Sequence, residues 1–467
     1  MVPFPRGTLA KYSPAVGRHR ERPCILSYRR HRRLTRYDLQ PGPAKPKTNM
    51  KNDNYAALVA LDWGDKTHAF ARQIPGADGI ETGVIAATPE ALHAWLEQLG
   101  KSCAGQPVAL AVEAGRNALL HALVEHSWLT VYPVHPATSA RFRKAFTPSG
   151  AKDDVPDAVV ILTLLRLHRG QLQPLSLDTP ATRELAALVI ARRSAVDQRT
   201  RTANQLGSVL KGYFPQALVL AGGDLTKPLA LAFLRRFPEL LAVQKARPAT
   251  VHAFYREHNG RSAERIAERL ALVARARPLS LDRAVIDPAL LEVALLVDLL
   301  EVHARHITGL EARIAEVFAA HPRAELFAAL PGAGPTLAPR LLVAFGDRLA
   351  RYPDATALQK YGGVAPVREK SGQKQWTHWR WAAPTFLRQT FGEWAGQTVV
   401  HCAWAKVFYC RQKLAGKAHH AILRALAFKW IRILWRCWHD QKPYDPTRYH
   451  ASLHRQRSPL SGMLPTS

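Results

Sequence analysis

Four carboxylates in this chain have the residue types and spacing of an oxygen-only metal site. Asp62 follows the apolar run Ala57-Leu-Val-Ala-Leu61, and Glu113 follows Val108-Ala-Leu-Ala-Val112. Each acid therefore projects from the end of a buried strand, and adjacent strands would bring the two together. Asp154 and Asp157 stand three residues apart at the start of a helical stretch, on one face and one turn apart. Four converging carboxylates repel one another and need cations. Hard oxygen ligands select Mg²⁺ or Mn²⁺, and paired ions of that kind stabilise the attacking and leaving oxygens of phosphodiester chemistry. Taken singly, each acid has a plainer explanation: Asp153 or Asp154 caps a helix with Pro156 in its first turn, and Asp62 begins a turn. The chain order of two acid-ended strands followed by Asp-x-x-Asp favours the site. Lys152, with Arg141, Arg143 and Lys144 before it, would contact phosphate.

A second group lies in the C-terminal third. Leu330-Pro-Gly-Ala-Gly-Pro335 between helical segments reads as the hairpin of a helix-hairpin-helix, in which Gly332 and Gly334 let backbone N–H groups approach a phosphate; a plain glycine turn is the alternative. Gly362-Gly-Val-Ala-Pro366 leads into a polar loop, Arg368-Glu-Lys-Ser-Gly372, that presents Ser371 between Lys370 and Lys374. On residue type alone Ser371 is a turn serine, the plainer reading beside that of a nucleophile. Eight of the eleven tryptophans lie from Trp376 onward. Ile422, Leu426, Trp430, Ile433 and Cys437 mark one helix face, so most of these rings read as core. Trp376, Trp379 and Trp381, with Arg380 among them, are the candidates for base stacking.

The elements needed to position the acids form an α/β domain over about residues 51–175. Strands are expected at 56–61, 67–73, near Val84, at 108–112 and at 129–134, and helices at 89–99, 117–126, 137–145 and 154–167. Helices alternating with strands after an initial three-strand run match a mixed sheet of the ribonuclease H and resolvase type. A helical region follows over 176–322. Its long stretches 183–213 and 289–318 carry near-heptad apolar seams, and could pair as coiled-coil arms, within one protomer or between protomers. Between them, 214–287 reads as an insertion of short helical pieces punctuated by proline. Residues 323–440 form a third, helical unit, and 441–467 a basic tail.

Composition narrows the partners. Sixty-five Lys and Arg against 36 Asp and Glu give a formal charge of +29, which suits a polyanion, nucleic acid first. Residues 1–50, basic and proline-rich with little apolar periodicity, should be disordered; removing them still leaves the remainder strongly basic. That start could be a targeting peptide, or Met50 a more natural start. No apolar run is long enough to cross a bilayer, so no membrane partner is expected. Five scattered cysteines without a C-x-x-C pair indicate neither a disulfide framework nor zinc, and fit a reducing compartment.

Together the motifs resemble one family, the DEDD insertion-sequence transposases related to Piv-type DNA invertases, which include bridge-RNA-guided recombinases. The similarity runs from about residue 55 to 440. Ala151-Lys-Asp-Asp-Val-Pro-Asp-Ala158 is similar to that family's Lys-x-Asp-x-x-Asp-Ala signature. The resemblance implies a RuvC-like domain with Asp62, Glu113, Asp154 and Asp157 as its metal-holding acids. It also implies a transposase domain in which Ser371 attacks DNA and forms a covalent link. Arg368, Lys370 and Lys374 would lie against the DNA. The implied partners are element ends and target DNA, a guide RNA, and further copies of the chain in a dimer or tetramer that joins one protomer's acids to another's serine. The resemblance also implies a bacterial cytoplasm, beside the nucleoid. Two departures stand out. Where many relatives have a Lys-x-Gly-Asn element after the serine, this chain reads Thr377-His-Trp-Arg-Trp-Ala-Ala-Pro-Thr-Phe-Leu-Arg388, and 214–287 and the N-terminal extension exceed a minimal member. The rivals are a metal-dependent Holliday-junction-type endonuclease, which needs the acids but not Ser371, and a non-catalytic DNA-binding protein.

Overall fold

The computed structural model describes residues 55–113, 117–146, 154–258, 260, 262–380 and 383–457. It divides into two compact units, residues 1–175 and 176–467.

In the first unit, β1 (Ala57–Trp63), β2 (Thr67–Gln73) and β3 (Glu81–Ala86) form an antiparallel meander, and β4 (Val108–Glu113) and β5 (Leu129–Val134) continue the sheet in parallel from β1. The strand order is β3-β2-β1-β4-β5, a five-stranded mixed sheet consistent with a ribonuclease H-like domain. Helices α1 (Pro89–Ser102), α2 (Asn117–Val124), α3 (Pro136–Phe146) and α4 (Asp154–His168) cover it. The Thr88 hydroxyl accepts from Ala91 N, with Pro89 in the first turn, which starts α1. The two faces of the sheet are built differently. Val59, Leu61, Leu110 and Val112 pack on one side with Leu92, Leu96 and Leu99 of α1. On the other, Ala60, Ala69, Ala71, Ala109 and Ala111 lie under Ala158, Ile161, Leu162 and Leu165 of α4. A methyl-sized surface lets a helix approach closely, so α4 is seated by shape.

The second unit is built on α5 (Pro180–Tyr213) and α11 (Arg283–Ala319), which pack antiparallel within one chain. Arg313 pairs with Glu184 at 2.6 Å, Arg192 Nε with Glu311 at 2.9 Å and Gln205 with Glu292 at 3.0 Å. Each end of the pair enters a different core. Leu206, Leu210, Val293, Leu296 and Leu300 pack with α6 (Ala217–Leu220), α7 (Pro228–Arg236), α8 (Leu240–Lys245), α9 (Pro248–Glu257) and α10 (Ala263–Arg275), around Phe233, Phe254 and Tyr255. The insertion is thus a folded helical subcore. At the other end Leu185, Val189, Ile314 and Val317 join the C-terminal core. That core comprises α12 (Ala324–Ala328), α13 (Gly334–Phe345), α14 (Ala355–Tyr361), α15 (Thr385–His401), α16 (Ala403–Leu414), α17 (His419–Asp440) and α18 (Pro446–Arg455). The helical arms and the third unit expected from sequence therefore share a core. Residues from 441, expected as a tail, include α18, because Leu453 is buried and Tyr444 and Tyr449 pack beside it.

Trp394, Trp404, Trp430 and Trp438 are fully buried there. Their indole N–H groups donate to Pro331 O, Tyr444 Oη, Thr398 Oγ1 and Gly346 O respectively, at 2.8–3.0 Å. Large apolar area with a satisfied polar edge is what a buried tryptophan requires.

Candidate active site

The acids at the sheet edge follow from register. β1 and β4 run parallel with Leu61 beside Val112, so Asp62 and Glu113 come next at the same end of neighbouring strands. Both are half-buried. Arg166, late in α4, donates to Gln73 at 3.3 Å, and Gln73 pairs with Leu58 near the start of β1. Helix α4 therefore runs back along the sheet, and its first turn, with Asp157, lies at the end where Asp62 and Glu113 emerge. Helix α3 ties these acids together. Its buried Ser139 donates to Glu113 Oε1 at 3.2 Å, and one turn later Arg143 ion-pairs with Asp157.

That arrangement corrects one expectation and adds a residue. Arg143, expected on phosphate, is taken up by Asp157. Ser139, not anticipated, orients Glu113; a serine in a short polar helix carries no signal that would have singled it out. Asp154 begins α4, but its side chain, like Lys152 and Trp381, lies outside the described residues. Among the described residues no three acids, histidines or cysteines group closely enough to hold a metal ion. The donor set is nonetheless the type a hard cation takes, carboxylate oxygens at one sheet edge, with Arg143 engaging Asp157 as a cation would.

Ser371 ends β6 (Val367–Ser371), which pairs antiparallel with β7 (Lys374–His378). The segment expected as a loop is thus a β-hairpin. Gly372 and Gln373 form its two-residue turn, and Gly372 has φ 58° while Gln373 is not left-handed, as a type II′ turn requires. The pairs Ser371–Lys374, Glu369–Trp376 and Val367–His378 place these six residues on one face, and Arg368 and Lys370 on the other. Across the first face His378 Nε2 meets Glu369 Oε1 at 2.7 Å while Nδ1 donates to Trp379 O at 2.7 Å. The Glu369 hydrogen bond, then the Trp379 carbonyl, raises the His378 pKa above its ordinary value. Ser371 itself is exposed.

The glycine hairpin divides in two. Gly332 (φ 68°) lies so close to α15 that a Cβ would stand 3.0 Å from the Gln397 backbone, so packing accounts for that glycine. Gly334 (φ 54°) is exposed with open space before it. Trp379 stacks under the Arg424 guanidinium, 3.8 Å from its ring centroid. No helix among the described residues is long and apolar enough to cross a membrane, and the four described cysteines are free thiols.

Comparison with known proteins now bears on this arrangement. Residues 59–215 match a DEDD transposase model, described as "Transposase", and residues 324–410 match the transposase IS116/IS110/IS902 family. The Streptomyces coelicolor mini-circle protein assigned as the IS117 transposase is 27% identical over 410 residues, 86% of this chain and 99% of that protein. A 43.6 kDa protein of insertion element IS110 from the same organism is 27% identical over 64% of this chain and 73% of its own length. A 42 kDa protein of IS900 from Mycobacterium paratuberculosis is 27% identical over 72% and 84%. A ribonuclease H-like sheet edged with acids, followed by a helical unit of transposase sequence, defines a transposase, an enzyme that acts on DNA. Within that class the chain belongs to the DEDD-type insertion-sequence transposases of the IS110/IS116 family.

Proposed function

We propose that the chain cuts and rejoins the ends of its insertion element through a covalent serine–DNA intermediate, with Ser371 as nucleophile and the Asp62–Glu113–Asp157 edge, completed by Asp154, as a divalent-metal site. The observation that carries it is the parallel register of β1 and β4, which sets Asp62 and Glu113 side by side at the end of the sheet that α4 opens over. When bound, Mg²⁺ or Mn²⁺ would supply charge stabilisation at the phosphate oxygens. Ser371 Oγ loses its proton as the Oγ–P bond forms, and the P–O bond to the leaving strand breaks with that oxygen protonated. Reversal with a different strand end rejoins DNA without ATP, because the phosphoserine ester conserves the bond. Lys374 on the Ser371 face, Arg368 and Lys370 on the other, and Lys152 ahead of α4 would hold the backbone. Gly334, at the open start of α13, is the surviving candidate for a helix-hairpin-helix phosphate contact.

A homo-oligomer is part of this reading. Helix α11 buries one apolar face on α5 yet exposes a second, Leu291, Leu295, Leu299 and Val302, spaced 4, 4 and 3 residues along the helix. A second copy would cover it in the manner of coiled-coil arms. The guide RNA rests on the family resemblance, with the basic charge in keeping.

Trapping on labelled element-end DNA with Mg²⁺ and flanking RNA, resolved on a denaturing gel, tests the reading. An adduct lost in both Ser371→Ala and Asp154→Ala supports it. Cleavage without adduct, indifferent to Ser371→Ala, would leave a metal-dependent endonuclease.

A further inference from the structure

The hairpin that carries Ser371 also carries one large aromatic side chain that the fold leaves half exposed. Trp394, Trp404, Trp430 and Trp438 are fully buried, whereas Trp376 is 46% exposed, and among the described residues its ring has no aromatic or cationic partner. Trp379, nearby in sequence, is occupied by Arg424. Register puts Trp376 opposite Glu369, on the same face as Ser371 and Lys374 and two residues beyond the Ser371–Lys374 pair. That diagonal spans roughly 7–8 Å between side-chain origins in an antiparallel ribbon, about the reach from a phosphate to its own base. Lys374 shares the ring's face and Arg368 and Lys370 lie on the other face of the same ribbon, so a polyanion is drawn to the hairpin, while the Glu369–His378 pair holds the strands together beside it.

We propose that Trp376 is a stacking platform for one unpaired DNA base next to the phosphate that Ser371 attacks. An indole face accepts any base, so the contact fixes the position of the scissile phosphate without reading sequence. It also needs the base to leave the duplex, which opens the backbone at the point of attack. The position of that base rests on the Ser371 reading; the stacking itself does not.

The test is a double-mutant cycle read by binding, in Ser371→Ala protein so that no adduct forms. Element-end DNA is made with a single unpaired nucleotide, scanned across the end, and each version is compared with one carrying an abasic site there. At one position, loss of the base should weaken binding about tenfold in the Ser371→Ala protein, and cost nothing further once Trp376→Ala is added. Trp376→Phe should keep most of the effect, and Trp379→Ala all of it. An abasic penalty that is the same with and without Trp376 at every position overturns the proposal. Because the readout is affinity, it stands or falls separately from the adduct assay: an adduct formed in Ser371→Ala protein would remove the nucleophile reading and leave the cycle interpretable.

Discussion

The two candidate chemical groups of this transposase are held in opposite ways. Asp62 and Glu113 emerge from β1 and β4, where Val59, Ala60, Leu61 and all of 108–112 are fully buried, and α3 reaches across to grip Glu113 through Ser139 and Asp157 through Arg143. Ser371 sits at the tip of an isolated two-stranded ribbon, with Gly372 at its bend and solvent around its side chain. A two-stranded hairpin has little stability of its own in water, whereas a buried sheet edge is fixed to the precision of its core. The acids are pre-organised by folding. The serine is presented at a ribbon tip, and on the proposed reading its geometry is completed by the DNA that binds there.

The largest effect that can break this contrast is chemical. Ser371→Ala should lower strand transfer by about 10⁶-fold, the scale seen when a serine nucleophile is removed, with no change in thermal unfolding because the side chain is exposed. A drop in melting temperature alongside the lost activity would mean that the hairpin is part of the core after all. Next is a lesion beneath the acids. Ala109→Leu pushes a branched side chain into the alanine face that seats α4, and overpacking there should cost about 1–3 kcal/mol by denaturant unfolding. Activity should fall further than stability, because α4 carries Asp157. Activity that merely tracks the folded fraction would show that the α4 seat does not set the site.

A smaller expected effect concerns association. Replacing Leu291 and Leu295, 76% and 57% exposed, by lysine leaves the α5–α11 contact intact. It should weaken self-association about tenfold in sedimentation experiments, roughly 1.4 kcal/mol. Unchanged association together with unchanged folding would remove α11 as the oligomer face.

How far the sequence showed this division depends on the kind of signal. The acid-ended strands were legible because β1 and β4 are continuous apolar runs, which only a strand buried on both faces tolerates, and the Asp154-x-x-Asp157 spacing marks a helix face. The role of Arg143 was not, since a basic residue near a phosphate site and one clamped on Asp157 look alike in one dimension. Ser371 stands out by its neighbours, yet its sequence reads as a loop and not as a strand. Gly372-Gln373 is a recognisable two-residue turn, yet the flanking residues are polar on both faces and show no alternation to announce a ribbon. The register that aligns Ser371 with Trp376 and His378 could come only from the paired strands. Likewise α18 was concealed in a polar segment whose buried contribution is the single Leu453.

The subtlest expectation concerns what keeps the ribbon ordered. The carbonyl of Trp379 can only accept, so His378 Nδ1 carries a proton, and Nε2 shares a second with Glu369. The folded pKa of His378 is raised, first by the Glu369 hydrogen bond and then by the Trp379 carbonyl. A raised folded pKa means that the contribution is fully present below the ordinary histidine value of 6.5 and fades as pH climbs through the higher folded value. Hydrogen exchange at the β6–β7 amides should therefore quicken on raising pH across that window, beyond the intrinsic base-catalysed increase. In Glu369→Gln protein the extra quickening should shrink, because the charged partner that holds the proton is gone. The amides of Val59, Ala60, Leu110 and Ala111 in β1 and β4, inside the fully buried part of the sheet, should show only the intrinsic slope in either protein. If β4 and β6 respond alike, the ribbon is as firmly held as the sheet and the distinction between a folded-in acid site and a presented serine fails.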